Sequence, residues 1–110
     1  MDVVALKLSK FGGLSVLRRA RDLCTHFETM MVIEDTWGSD IATAAAVHLG
    51  MTVAPKLLLN VCDLSGYVVP HLADDGPVRE NGTLSVGDAP GLGITVDESR
   101  LGEPELSVGG

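Results

Sequence analysis

The chain has 110 residues, 45% of them hydrophobic, with 13 glycines, two cysteines and a net charge of -7, which suffices for one small domain with its own core. That acidity excludes the electrostatic footprint of a nucleic-acid binder, and no apolar run reaches the length of a membrane span. Residues 1–62 carry six basic and six acidic side chains whereas residues 63–110 carry two and nine, so the acidic excess lies wholly beyond residue 62.

The apolar run Val3–Leu6 predicts a strand that meets solvent at Lys7, the first residue of the string KLSKFGG. A lysine at the end of a buried strand is a candidate base for proton abstraction; the competing reading is a strand that simply ends in solubilising lysines. Period-two alternation sets Lys7 on the face of Val3 and Ala5, with Val4, Leu6 and Leu8 on the other. The segment Leu14–Phe27 then places Leu14, Leu17, Ala20, Leu23, Cys24 and Phe27 at helical spacing. Its other face holds Arg18, Arg19, Arg21, Asp22 and Thr25, which predicts an amphipathic helix with the arginines in water.

A second apolar run, Met30–Ile33, ends at Glu34 and Asp35, with Trp37 two residues on. The next helix, Asp40–Leu49, is small and apolar nearly all round, with Ser39 or Asp40 as N-cap and Gly50 just past its end. A third run, Leu57–Val61, ends at Cys62 and Asp63. The polar strand ends recur every 27 to 28 residues, about the length of a strand, a helix and two short loops in a parallel α/β fold. Chemistry in such folds gathers at the carboxyl ends of the strands. Lys7, Glu34, Asp35, Trp37, Cys62 and Asp63 are therefore expected on one rim.

Beyond Asp63 the chain reads as an irregular acidic tail, with turn signals at Asp75-Gly76-Pro77 and Asn81-Gly82 and short extended pieces at Tyr67–Val69 and Thr83–Val86. The string GDAPGLG, Gly87 to Gly93, lacks the preceding apolar strand and following helix of a phosphate loop and reads as a turn. Cys24, His26, His48, Cys62 and His71 show no paired metal-ligand spacing. Two such cysteines suit the reduced thiols of a cytoplasm, and Met1-Asp2 lacks the basic start of a secretory leader. Three parallel strands leave a sheet edge unpaired, so the chain reads as part of a larger fold or as one that must associate.

In order, KLSKFGG, EDTWGSDI, AAAVHL and DAPGLGI resemble the carboxyl-terminal part of the mandelate racemase and muconate lactonizing enzymes of the enolase superfamily. The resemblance covers roughly Val3 to Leu101, and within that family it is most similar to the hydroxyproline dehydratases and hydroxyproline betaine epimerases. It implies a partial modified TIM barrel in which residues 1–62 supply strands six to eight of a (β/α)7β barrel and residues 63–110 an irregular tail. Lys7 would be the base at the end of strand six, with Lys10 loop-facing. Asp35, and less directly Glu34, would meet a ring ammonium group, and Trp37 would either offer that cation an aromatic face or serve as a packing anchor. Cys62 and Asp63 would be pocket walls.

The implied chemistry is abstraction of the proton α to the carboxylate of a hydroxyproline-like amino acid, leading to dehydration or epimerisation with Mg²⁺. The family's three acidic metal ligands and its Lys-x-Lys would lie upstream of Met1, so the isolated chain is expected to hold no metal and to be inactive, needing an amino-terminal half or a homo-oligomer. Two alternatives stand beside this: a binding or assembly module without catalysis, and a half-barrel that complements a separately encoded partner.

Overall fold

A computed structural model describes residues 2–109; Met1 and Gly110 lie outside the described residues. Strands β1 (Val3–Lys7), β2 (Met30–Glu34) and β3 (Leu58–Cys62) form one parallel sheet in the order β1-β2-β3. Each crossover is helical, as parallel neighbours require. α1 (Leu8–Phe11) and α2 (Leu14–His26) lie between β1 and β2, and α3 (Ser39–Met51) lies between β2 and β3. The strands and long helices thus fall within a residue or two of the positions that the sequence predicts.

Among the described residues, one face of the sheet is covered. Leu6, Met31 and Ile33 pack with Leu17 of α2, Ala46 and Leu49 of α3, and Val53 and Leu57 of the following loop. Fully burying an aliphatic side chain of this size contributes about 1.5–3 kcal/mol, so these residues hold the helices to the strands. The opposite face carries Val3, Ala5 and Lys7, then Val32 and Glu34, then Asn60 and Cys62, all half-buried or exposed. The apolar continuity of the strands predicts cover on both faces; among the described residues it exists on one.

Two details of the helices differ from the sequence expectation. Leu14, Leu17, Ala20 and Cys24 pack toward the core, but Leu23 and Phe27 are exposed, because the apolar stripe of α2 is wider than the surface it meets. α3 begins at Ser39, its N-cap position is Gly38, and no side chain caps it; Asp40 lies inside the first turn and points elsewhere, as described below.

The segment after β3 is more ordered than an irregular tail. A 3-10 turn, Ser65–Tyr67, replaces the extended piece expected at Tyr67–Val69. Strands β4 (Val78–Glu80) and β5 (Thr83–Ser85) form an antiparallel hairpin. Asn81 and Gly82 at its tip both have positive φ, 50° and 75°, the conformation that Asn-Gly favours in a two-residue hairpin turn. Further on, the loop Gly87–Gly93 is tied to α3 by a hydrogen bond between His48 Nε2 and Leu92 O at 2.9 Å.

Candidate active-site rim

The register aligns Lys7 with Glu34 and Glu34 with Cys62, so the last residues of β1, β2 and β3 form one row on the uncovered face. A bulge between Met31 and Val32 adjusts β3 by one residue, which lets Asn60 and Cys62 follow Val32 and Glu34. Lys7 Nζ lies 3.0 Å from Glu34 Oε2, with both side chains about a quarter to a third exposed. The pair is open to solvent and to a ligand. Burial, with the nearby carboxylates of Glu34 and Asp35, pushes the Cys62 thiol upward, so Cys62 meets this row as a neutral thiol. Lys10, on α1, is exposed and apart from the row.

Trp37 follows two residues after the strand-end pair of acids. It is 59% exposed and sits at φ 61°, in the left-handed region that bulky residues avoid.

Asp35 does not join the row, and its carboxylate is instead enclosed by donors from the protein itself. Adjacent strand residues point to opposite faces, so Asp35 turns away from the face that Glu34 occupies. It is fully buried, and its carboxylate accepts hydrogen bonds from Thr43 Oγ1 at 2.7 Å, Leu64 N at 3.0 Å and Ser65 N at 3.1 Å. Burial alone would raise its pKa, but donors from Thr43, Ser65 and Leu64 outweigh that and hold it below the usual carboxylate value. Asp35 ties the end of β2 to α3 and to the turn after β3.

That tie continues into the tail. Thr43 Oγ1 also lies 3.2 Å from Asp63 Oδ1. Asp63 pairs with Arg79 Nε and, at 3.2 Å, with Arg79 Nη2. Arg79 Nη2 reaches Asp40 Oδ1 at 3.3 Å, and Asp40 in turn accepts from Leu72 N at 2.7 Å and faces His71 Nδ1 at 3.0 Å. Asp40 is 2% exposed. Burial would raise its pKa, but the Leu72 amide and His71 dominate and lower it. Asp63, expected as a pocket wall, is thus engaged by the hairpin arginine. Thr43, Arg79, Asp40 and His71 complete a set that the sequence pattern does not mark. The available signals are that Thr43 interrupts the small apolar run from Ile41 to Val47 and that Arg79 stands alone among acids.

Among the described residues no group of three or more His, Cys, Asp or Glu is arranged to hold a metal ion. Asp35, Asp40 and Asp63 approach one another, but their oxygens are taken by backbone amides, Thr43 and Arg79, so these residues do not fit a divalent cation.

A parallel βα sheet with a polar row at its carboxyl ends is the arrangement of α/β barrels and doubly wound sheets. The chain belongs to the enolase C-terminal domain-like family, whose model matches residues 1–100, and its three strands are part of a TIM barrel. It is 43% identical over 104 residues to the cis-3-hydroxy-L-proline dehydratase of Roseibium aggregatum, covering 94% of this chain and 28% of that protein. A mandelate racemase/muconate lactonizing enzyme from Roseovarius nubinhibens superposes with a TM-score of 0.86 at 38% identity, over 96% of this chain and 28% of that one. Another from the same organism, complexed with magnesium, gives 0.87 at 33% identity, over 96% and 29%. The chain therefore spans little more than a quarter of the length of these relatives.

Proposed function

We propose that this chain supplies the proton-transfer and ammonium-binding part of a larger enzyme that removes the proton α to the carboxylate of a hydroxyproline-like amino acid. The observation that carries the reading is the Lys7–Glu34 pair, 3.0 Å apart at the ends of adjacent parallel strands on the uncovered face. An amino acid presents both an ammonium group and a weakly acidic α proton, and this pair answers both. A substrate ammonium entering the row takes over the Glu34 carboxylate. Lys7 Nζ, released from its partner and having first passed one proton to solvent, accepts the α proton on its free amine lone pair as the C–H pair passes into the carboxylate. In dehydration, the reading favoured by likeness to the Roseibium dehydratase, those electrons form the ring double bond as the neighbouring hydroxyl leaves, taking a proton from the Lys7 ammonium to depart as water. Epimerisation, by reprotonation from the opposite face, is the alternative outcome. Trp37 offers an aromatic face to the substrate cation.

Stabilising the charge that develops on the carboxylate is work for groups outside these residues; Mg²⁺, bound in a related structure, would supply Lewis-acid stabilisation in the complete enzyme. The chain by itself is expected to be inactive and to act with an amino-terminal half, or within a homo-oligomer, in a cytoplasm where Cys24 and Cys62 stay as the free thiols they are here. Among the described residues the outer edges of β1 and β3 carry no strand partner, which supports a barrel completed by further strands. The test is solvent deuterium incorporation at the α carbon of hydroxyproline by the full-length protein. Exchange lost in Lys7→Ala supports the assignment, and exchange that survives within a few fold refutes it.

A further inference from the structure

The Glu34-Asp35 dipeptide divides its work between the two faces of the sheet, and the buried half carries a consequence for the exposed half. Asp35 is joined at once to α3 through Thr43 Oγ1 and to the loop after β3 through the amides of Leu64 and Ser65. In addition, its own amide donates to Cys62 O at 3.3 Å. Every one of these bonds fixes the end of β2, and hence the Glu34 carboxylate, relative to β3 and α3. Thr43 is itself fully buried, and a dry carboxylate is held more tightly by such donors than a solvated one.

We propose that Asp35 and Thr43 are positioning residues that set the Glu34 carboxylate for the substrate ammonium, and so give the rim its preference for a ligand bearing a cationic nitrogen. The inference rests on the proposed reading of Glu34. The pair acts through the backbone step from 35 to 34, with no contact to substrate. A carboxylate displaced by a fraction of an ångström still attracts a cation but no longer meets it in hydrogen-bonding geometry, and misplacement of about 1 Å costs up to about 100-fold.

The test measures binding of two ring acids to the full-length protein, one with a ring ammonium (proline) and one without nitrogen (cyclopentanecarboxylate). Thr43→Val is close to isosteric and removes only the hydroxyl, so it keeps the test available where Asp35→Asn fails to fold. Thr43→Val is expected to weaken proline about tenfold while leaving cyclopentanecarboxylate within about twofold, with Thr43→Ser restoring the difference. Losses shared equally by both ligands, or no loss, overturn the inference. Glu34→Gln separates the two levels. If it erases the preference for proline while Thr43→Val does not, the positioning role falls and the reading of Glu34 stands. If it too leaves the preference intact, both fall.

Discussion

Replacing Arg79 with methionine removes the one arginine that bridges Asp40 and Asp63. Arg79 Nη2 lies 3.3 Å from Asp40 Oδ1, a gross attraction of about 5 kcal/mol at an effective dielectric of 20. Much of that offsets the cost of drying the three groups. Removing one member of a fully buried pair costs about 3–5 kcal/mol; here Arg79 is 27% exposed. Asp40 also keeps Leu72 N and His71, and Asp63 keeps Gly66 N at 2.9 Å. The expected loss is therefore smaller, about 2 kcal/mol. Urea denaturation followed by far-ultraviolet circular dichroism measures it at pH 7. The pH dependence gives a second reading. Asp40 has a folded pKa below its unfolded one, so the stability it contributes is present above the unfolded value of about 3.9 and is lost as pH falls through the lower folded value. A neutral Asp40 no longer needs the cation, so the gap between wild type and Arg79→Met narrows below about pH 4. A variant within about 0.5 kcal/mol of wild type at pH 7, the range of an ordinary surface substitution, refutes the claim that Arg79 anchors the hairpin.

Other expectations follow from the same geometry. Leu17→Ala, at a fully buried position in the sheet–helix core, lowers stability by about 2–5 kcal/mol; a loss under 1 kcal/mol in the same titration contradicts the packing described. Trp37→Asn relieves the positive φ at this position and raises stability by up to about 1–3 kcal/mol, while weakening cationic ring ligands in the full-length protein; unchanged affinity returns Trp37 to a structural role. Iodoacetamide alkylation of Cys62, read by mass spectrometry against pH, has its midpoint above that of a free cysteine because burial and the neighbouring carboxylates raise the thiol; a midpoint at or below the free cysteine's refutes the upward shift. Gly66→Ala places a Cβ 2.6 Å from Asp63 Oδ2 and so disturbs the Arg79 pair, with a loss in urea comparable to that of Arg79→Met.

The parallel strands and their helices are legible in the sequence because each is set by local periodicity. The runs Val3–Leu6, Met30–Ile33 and Leu57–Val61 and the 3.6-residue spacing from Leu14 to Cys24 need no distant information. The hairpin is legible at its tip, Asn81-Gly82, because the turn demands positive φ at both residues. Which strand pairs with which is less so, and the extended piece expected at Tyr67–Val69 gives way to a 3-10 turn. The anchoring set Asp35, Thr43, Asp63, Arg79 and Asp40 spans 45 positions from Asp35 to Arg79, and a pairing between residues so far apart leaves no local pattern. Even so, the separation of Glu34 from Asp35 follows from strand alternation alone.

That alternation explains how one strand end serves two ends at once. On the proposed reading, a carboxylate that releases a lysine and takes a substrate cation has to stay partly wet, since a fully dried pair would hold Lys7 too firmly to exchange partners. Glu34 and Lys7 are accordingly about a quarter to a third exposed. A wet, exchangeable carboxylate has little to fix its own position, and the order has to come from its neighbours. Asp35, fully buried and bonded through both of its carboxylate oxygens, supplies that order one residue away and on the opposite face, where rigidity does not interfere with exchange. Transposing the two acids is not neutral even though composition and charge are unchanged. Glu at position 35 would bring an extra methylene into a site closed by Thr43, Leu64 and Ser65, and Asp at position 34 would fall short of Lys7.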